Sequence, residues 1–280
     1  MTSRIFAPEV LAGQVCVVTG AGTGLGRAAA LELARCGATV VVCGRRPEPI
    51  IDTAAAIAAL GGTAAAYPLD IRDEYAVDDF FDTVVERHGR VDTLVNNAGG
   101  QFMCPAERIT PKGFRTVLDL NIMGTWLMTH AAVTKAMIPQ SSGKVLNVTL
   151  SPHHGFPGLA HSAAARAAVE NLTRTLSVEW ARFGVRLCAV ATGHMDTSAL
   201  RGKYPPGVAE AALTTIPLGR YGTESEFAWL ITYLASPAGD YLSGTVLTLD
   251  GARDNLAHPW PPPGFAEIAD MVEKRGPRTY

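Results

Sequence analysis

Short, continuous apolar runs alternate along the chain with longer segments in which apolar residues recur every three or four positions. The runs VCVVTG (15–20), TVVVCG (39–44) and KVLNVTL (144–150) are typical of strands buried on both faces of a parallel sheet. A segment such as LGRAAALELARCG (25–37), with its closing glycine, is typical of a helix. Strands that alternate with helices predict a parallel sheet covered by helices.

The complete pattern predicts a doubly wound (Rossmann) α/β fold, with a parallel seven-stranded sheet and helices on both faces. The remaining strands are predicted within 63–70, 91–99, 185–193 and 244–251, and the remaining helices within 47–62, 74–89, 111–138, 158–180 and 223–236. Because no internal linker is visible, we predict a single domain over 1–280, with a substrate lid at about 193–220 and a C-terminal extension at about 252–280.

Composition narrows the classes of function. The formal net charge is −2 and no basic stripe is visible, so nucleic acid is not an expected partner. No apolar run has the length of a membrane span, and the first ten residues lack the pattern of a signal peptide. The five cysteines show neither paired nor metal-ligand spacing. We therefore expect a cytoplasmic protein without a metal site.

A glycine-rich loop, TGAGTGLG (19–26), lies between the first predicted strand and the first predicted helix. Gly20, Gly24 and Gly26 allow a tight turn and a close approach of the backbone to a pyrophosphate, which the free N–H groups of the helix N-terminus would bind. The loop predicts a dinucleotide-binding domain. An ordinary strand-to-helix turn is the alternative.

The end of the second predicted strand bears on the choice of cofactor. An acidic residue there would bond the adenosine ribose and favour NAD, but this chain has Gly44, Arg45 and Arg46. Because an arginine fork suits a 2′-phosphate, we predict NADP(H) as the cofactor. The alternative is that both arginines are solvated surface residues.

Three motifs give the chain a resemblance to the short-chain dehydrogenase/reductase superfamily over roughly residues 10 to 251: TGAGTGLG, NNAG (96–99) and DLNIMGT (119–125). The resemblance implies an adenine contact at Asp70, a nicotinamide carboxamide contact at Thr197 and a functional asparagine at Asn121. It also implies a homo-oligomer, a tetramer or a dimer. Further cofactor contacts that it implies are Thr23, Leu25, Ile71, Asn97, Ala98, Gly99, Gly193 and Met195.

The helix predicted at 158–180 departs from this superfamily at its two best-known positions. The family has a tyrosine and a lysine four residues apart on one helix face, and an ungapped match places Ser162 and Arg166 there. A frame shifted by one residue would place His161 and Ala165 there and breaks the helix pattern. The family's serine on strand five has no clean counterpart here, and the nearest candidates are Thr149, Leu150 and Ser151, depending on loop length.

These replacements change the expected chemistry. Arg166 can hold the nicotinamide ribose but cannot shuttle a proton, since a guanidinium stays protonated, and Ser162 is a far weaker acid than a phenol. Reduction of an alkene conjugated to a thioester suits such a site, because the enolate needs hydrogen-bond donors rather than immediate protonation. His153, His154, His161 and Tyr204 are candidate proton donors. The alternative is that His161 only packs at the start of the helix and that His153 and His154 are exposed loop residues. Gln101 and Asn121 could position an acyl carbonyl or a water.

Two longer stretches, 96–114 and 155–173, look like those of the peroxisomal trans-2-enoyl-CoA reductases and the related 2,4-dienoyl-CoA reductases. This resemblance implies NADPH-dependent reduction of a carbon–carbon double bond in a small-molecule acyl thioester. Two alternatives stay open. One is a carbonyl reductase or alcohol dehydrogenase with a relocated proton donor. The other is a non-redox cyclase, isomerase or binding protein on the same fold.

Overall fold

The computed structural model describes residues 3–151, 153–198, 200 and 207–256 of the 280-residue chain. The strands are β1 (Val15–Thr19), β2 (Thr39–Gly44), β3 (Thr63–Pro68), β4 (Thr93–Asn96), β5 (Gly143–Leu150), β6 (Val185–Thr192) and β7 (Thr245–Leu249). The helices are α1 (Gly24–Arg35), α2 (Pro47–Ala59), α3 (Glu74–His88), α4 (Pro111–Leu118), α5 (Gly124–Ala132), α6 (Ala160–Glu179), α7 (Val208–Leu213) and α8 (Glu224–Ala235).

The seven strands form one parallel sheet in the order β3-β2-β1-β4-β5-β6-β7. The chain starts in the middle at β1, winds outward to β3, returns to β4 and winds outward again to β7. The strand order therefore reverses between β1 and β4, and ligands of open α/β sheets bind at the carboxyl ends of the strands beside such a point. The predicted fold class is confirmed.

Apolar side chains fill both sides of the sheet. One cluster includes Leu33 of α1, Ile57 of α2 and Ile231 of α8, and the other includes Phe81 of α3 and Met128 of α5. Strands with neighbours on both faces need apolar residues at every position, which explains the fully buried sequence VCVVT in β1.

The helix predicted over 111–138 is continuous but not uniform. Wider π-helical turns at Asp119–Met123 and Val133–Met137 flank α5. The first turn contains Asn121, a candidate site residue, and such turns often occur at functional sites. Among the described residues, no helix has the length and apolar character to cross a membrane.

Candidate active site

A cleft of about 810 Å³ opens at the carboxyl ends of the central strands. It begins at the glycine-rich loop, passes the ends of β2 and β4, and reaches the segment after β6. The predicted cofactor residues all line it: Gly20, Thr23, Gly24, Leu25, Gly26, Arg45, Arg46, Asp70, Ile71, Asn97, Ala98, Gly99, Arg166, Gly193, Met195 and Thr197.

The glycine-rich loop has the backbone shape that its sequence predicts. Gly20 has a φ of +64°, which side-chain-bearing residues rarely adopt. A Cβ added to Gly26 would overlap the Gly20 carbonyl oxygen and the Asn97 side chain. Asn97 in turn donates from Nδ2 to the Thr19 carbonyl at 2.9 Å, which ties the loop to β4. The loop is therefore held in a tight cradle.

The first turn of α1 suits a phosphate. Thr23 is the N-cap residue, its side chain makes no capping hydrogen bond, and no acidic residue lies in the first turn. The first N–H groups of the helix and the positive end of its dipole therefore remain for an anion. The cradle and this helix end together fit the pyrophosphate of a dinucleotide.

Two arginines lie where the cleft passes the end of β2. Arg45 and Arg46 both line it, and neither makes an ion pair with a described side chain. Asp70, two residues after β3, is instead bound by Arg72 at 2.5 Å, a hydrogen bond that lowers the pKa of the carboxyl. This end of the cleft is suited to an anionic group.

Arg166 projects from α6 toward the middle of the cleft. Its Nη1 donates to the Val148 carbonyl at 2.7 Å, and its Nη2 lies where a side chain on Gly99 would be. Burial lowers the pKa of Arg166 to about 10, so the group is still charged at neutral pH. Its Nε is buried without a partner among the described residues. A cation in this position can hold ribose hydroxyls or stabilise negative charge on a substrate.

Asn121 does not line the cleft but fixes its wall. The fully buried side chain donates from Nδ2 to the Gly100 carbonyl at 2.8 Å and accepts from the Gly100 N–H at 3.3 Å. The wider helical turn that contains Asn121 brings the amide to this backbone segment. Asn121 therefore positions the segment 99–101.

Ser162 is also withdrawn from the cleft. It has 0% exposure, and its Oγ donates to the Gln101 Oε1 atom at 2.6 Å. Gln101 itself lines the cleft. The hydroxyl at the tyrosine position thus points at the side-chain amide of a residue that lines the cleft, and it does not line the cleft itself.

His161 is equally buried and does not line the cleft. Its ring packs edge-on against Phe102, with 4.4 Å between the ring centroids, and its Nδ1 accepts the Ser162 backbone N–H. Burial lowers the pKa of His161, so the imidazole is neutral. Tyr204, the other candidate donor, lies outside the described residues.

The two candidate hydroxyls of β5 and its loop both line the cleft and are engaged with carboxylates. Thr149 donates to Glu170 at 2.9 Å, and Ser151 donates to Asp250 at 2.5 Å. Both carboxylates come from distant parts of the sequence, so neither pairing was visible in a local pattern. Ser151 therefore places a hydroxyl in the wall of the cleft, with the Asp250 carboxylate as its hydrogen-bond acceptor.

His153 lies just after Ser151, between two carboxylates. Its Nε2 is 3.0 Å from Glu170, and its Nδ1 is 2.5 Å from Asp254. Burial lowers the pKa of His153, but the hydrogen bond to Asp254 and the charges of both carboxylates outweigh this effect and the pKa is raised. The ring joins the loop after β5 to α6 and to the segment after β7. No metal-type cluster of His, Cys, Asp and Glu occurs among the described residues.

His194 is a cleft residue that sequence reasoning missed. It follows β6, with its ring centroid 6.1 Å from Phe156 and 6.4 Å from Tyr221. Burial, together with the charge of Arg253, lowers the pKa of His194 to about 4. His194 directly follows the apolar run of the sixth predicted strand, and this position at a carboxyl end of the sheet was the available signal.

The end of the cleft beyond Arg166 is apolar. Phe102, Met103, Leu120, Phe156 and Leu200 line it. The cleft thus has two arginines at the β2 end, and at the far end it has several apolar side chains beside polar ones such as Ser151 and His194. This division fits a dinucleotide followed by a hydrophobic substrate.

Comparison with known proteins shows that the chain is similar to oxidoreductases. Residues 20–252 match a family model described as enoyl-(acyl carrier protein) reductase. A Bacillus subtilis (strain 168) protein named probable 2,4-dienoyl-CoA reductase, (2E)-enoyl-CoA-producing, is 36% identical over 241 residues, which cover 85% of this chain and 95% of that protein.

Two solved structures are similar along most of their length. The citronellol catabolism dehydrogenase AtuB of Pseudomonas aeruginosa PAO1 is 39% identical, with a TM-score of 0.81 over 89% of this chain and 98% of that one. A protein assigned as an NAD(P)-dependent gluconate 5-dehydrogenase from Beutenbergia cavernae, with NADP bound at low occupancy, is 34% identical, with a TM-score of 0.82 over 88% of this chain and 99% of that one.

Proposed function

The chain belongs to the short-chain dehydrogenase/reductase family, and we propose that it uses NADPH to reduce the activated carbon–carbon double bond of an enoyl thioester. The observation that carries the proposal is the direction of the Ser162 hydroxyl. It points at Gln101 and not into the cleft, while Arg166 reaches the cleft with its positive charge. The site therefore offers positive charge to an oxyanion but has no acid at the tyrosine position.

Such a site suits an enolate better than an alkoxide. The glycine-rich loop and Arg166 would hold the reduced nicotinamide cofactor, which would supply a hydride to the β-carbon of the substrate and leave negative charge on the thioester oxygen. Arg166 stabilises this negative charge, and water delivers one proton to the α-carbon to complete the reduction. A ketone would instead give an alkoxide, which needs a proton on oxygen at once.

The preference for NADPH is supported by Arg45 and Arg46, whose positive charges are not paired with a described carboxylate and would bind a 2′-phosphate. The apolar end of the cleft supports a substrate with a hydrocarbon chain. Placement in the cytoplasm and assembly into a homo-oligomer are further parts of the proposal.

A direct test compares NADPH oxidation with crotonyl-CoA and with acetoacetyl-CoA, and then repeats the first assay with NADH. We expect turnover of crotonyl-CoA to exceed that of acetoacetyl-CoA, and the KM for NADPH to be at least about 10-fold below that for NADH. Replacing Arg45 and Arg46 by Ala is expected to remove the difference between cofactors. A preference for NADH would contradict the choice of cofactor, and NADPH binding without turnover of either thioester would favour a non-redox function.

Carbonyl reduction is the second candidate, because Ser151 places a hydroxyl in the wall of the cleft with Asp250 as its acceptor. A Ser151→Ala variant separates the two functions. Reduction of acetoacetyl-CoA that depends on Ser151 would support a relocated donor, whereas enoyl reduction should not require this hydroxyl.

A further inference from the structure

His194 follows β6 and brings to the cleft an imidazole ring that the proposed reaction does not use. The residue lines the cleft, and its ring lies between two aromatic rings, with its centroid 6.1 Å from that of Phe156 and 6.4 Å from that of Tyr221. The next residue, Met195, is a predicted cofactor contact, and Thr197 is the predicted contact of the nicotinamide carboxamide. His194 therefore lies beside the part of the cleft in which the hydride would be transferred.

The surroundings of the His194 ring are held by contacts between distant segments. The His194 carbonyl accepts the Gly222 N–H at 3.1 Å, which fixes the backbone beside the ring. Arg253 lies over the Phe156 ring, with 5.2 Å between its Cζ and the ring centroid, and its Nε donates to Thr215 at 2.9 Å. The ring thus has a fixed backbone and a fixed neighbour, so little further ordering is needed when it binds a ligand.

Neither ring nitrogen of His194 has a hydrogen-bond partner among the described residues, and Nδ1 is buried. Burial and the charge of Arg253 lower the pKa of His194 to about 4. At neutral pH the ring is therefore uncharged, with one N–H donor and one acceptor nitrogen. Because a polar group in a partly buried position is costly to leave without a partner, the ring favours a ligand that brings a neutral hydrogen-bonding group.

The substrate of the proposed reaction has few groups that could make this contact. An enoyl thioester with a hydrocarbon acyl chain is polar at its carbonyl and along the pantetheine arm, in which a short ethylene link joins the sulfur to an amide. Arg166 stabilises the carbonyl oxygen in the proposed reaction, and the acyl chain suits the apolar lining at Phe102 and Met103. The amide nearest the sulfur is then the neutral polar group that remains for His194.

We propose that His194 is a specificity-determining residue that forms a hydrogen bond with the amide nearest the sulfur in the pantetheine arm of the substrate. This inference rests on the proposed function. An amide matches the uncharged imidazole because it also has a donor N–H and an acceptor oxygen. The contact transfers no proton. It adds binding energy for a pantetheine thioester and none for a simple alkyl thioester, so it separates the two as substrates.

The test uses the full chain with NADPH and two crotonyl thioesters that differ in this amide. The N-acetylcysteamine thioester keeps the ethylene link and the amide, and the S-pentyl thioester has methylene groups in place of the amide. We expect kcat/KM of the unaltered chain to be about 10-fold higher for the N-acetylcysteamine thioester, the effect of one hydrogen bond.

His194→Phe keeps a ring between Phe156 and Tyr221 but removes both nitrogens. We expect it to lower the ratio of kcat/KM between the two thioesters from about 10 to about 1, a change that a purely structural role of the ring would not produce. His88→Phe is the matched control, because His88 is also half-buried with a ring nitrogen that lacks a described partner, yet it lies on α3 and does not line the cleft. It should leave the ratio unaltered.

A second readout does not depend on turnover. In a chain labelled with ¹⁵N-histidine, the ring nitrogens of His194 are identified as the NMR signals that His194→Phe lacks. The N-acetylcysteamine thioester of butyric acid, added together with NADP⁺, should shift one of these signals, and the S-pentyl thioester should not.

The same NMR response to both butyryl thioesters, or equal kcat/KM ratios in the unaltered chain and in His194→Phe, would overturn the role of His194. Failure of the unaltered chain to reduce either crotonyl thioester would overturn the proposed function. A ring-nitrogen shift that still requires the amide would then support the binding role of His194 by itself, so the two failures can be distinguished.

Discussion

Arg166 is a cation in a largely buried position, and its surroundings determine what it contributes. It bonds one backbone carbonyl and has no carboxylate partner among the described side chains. Burial lowers its pKa to about 10, so the charge persists across the physiological range and is lost as pH rises through that value. A positive charge held without a protein counter-ion is available to a ligand.

We expect Arg166→Ala to weaken NADPH binding by about 10-fold, equal to about 1.4 kcal/mol. In the unaltered chain the affinity should be constant between about pH 7.5 and 9, where the 2′-phosphate is fully ionised, and should fall as pH approaches 10. The variant should lack this fall. Fluorescence titration of NADPH at several pH values measures both effects, and a larger loss in Ser162→Ala than in Arg166→Ala would reverse the assigned roles.

A glycine is required at position 26 because a Cβ there would clash with neighbouring atoms, rather than because the backbone has to be flexible. A Cβ there would overlap a backbone oxygen, which cannot move aside as a flexible side chain can. We expect Gly26→Ala to lower the free energy of unfolding by about 1–3 kcal/mol and to weaken NADPH binding. Gly13→Ala is the control: it has a positive φ but open space, so it should cost about 1 kcal/mol and leave NADPH affinity unaltered. Equal NADPH affinities in the two variants would contradict this explanation.

At the scale of elements, hydrogen bonds join the loop after β5 to the segment after β7 at the carboxyl ends of the strands. His153 binds Asp254 through its backbone N–H and its ring, and Ser151 binds Asp250. The Asp254 N–H donates to Asp250 at 2.7 Å, which links the two contacts. These bonds fix one wall of the cleft.

The contribution of His153 to stability should depend on pH. Because its folded pKa is raised above the usual value near 6.5, the contribution is complete below pH 6.5 and is lost as pH rises through the folded pKa. We expect His153→Gln to lower the free energy of unfolding by about 1 kcal/mol at pH 6, with a smaller loss at pH 9. Urea unfolding at both values measures this, and a loss that does not vary with pH would contradict the protonated bridge. Ser225→Ala, on the exposed face of α8, is a control.

The helices and strands could be predicted from the sequence more completely than the side-chain contacts between them. The strands and most helices could be predicted because burial imposes a local pattern, as in the apolar run of β1. The two π-helical turns beside α5 leave no local pattern in the sequence.

Local motifs could indicate a candidate site, and the residues that they predict to contact a cofactor all line one cleft. The partners of its hydroxyls could not be predicted, since Ser151 and Asp250 are 99 positions apart and Ser162 and Gln101 are 61 apart. Contacts of this range depend on how the layers pack, which periodicity does not encode.

At the scale of the whole molecule, two apolar side chains lie exposed on helices that we predict to mediate assembly. Val178 of α6 is 78% exposed, and Met123, in the turn before α5, is 47% exposed. Isolated exposed apolar residues are common, but a pair on neighbouring helices is consistent with a subunit interface.

Sedimentation equilibrium at micromolar concentration is expected to give a dimer or tetramer. Val178→Glu should shift the mass toward the monomer, because a buried unpaired charge is unfavourable at an interface. Tyr75→Glu, on the exposed face of α3, is the control and should not change the mass. A monomeric unaltered chain would refute the assembly.

The buried position of Ser162 also limits the paths by which the site can evolve. A tyrosine placed there would meet a site with no exposed space, and it would displace the hydrogen bond to Gln101 and crowd the His161–Phe102 pair. Several residues would have to change together before a phenol could enter the cleft. The effects of those changes are therefore coupled, and we expect Ser162→Tyr alone to be more disruptive than the same change made together with substitutions at Gln101 and His161.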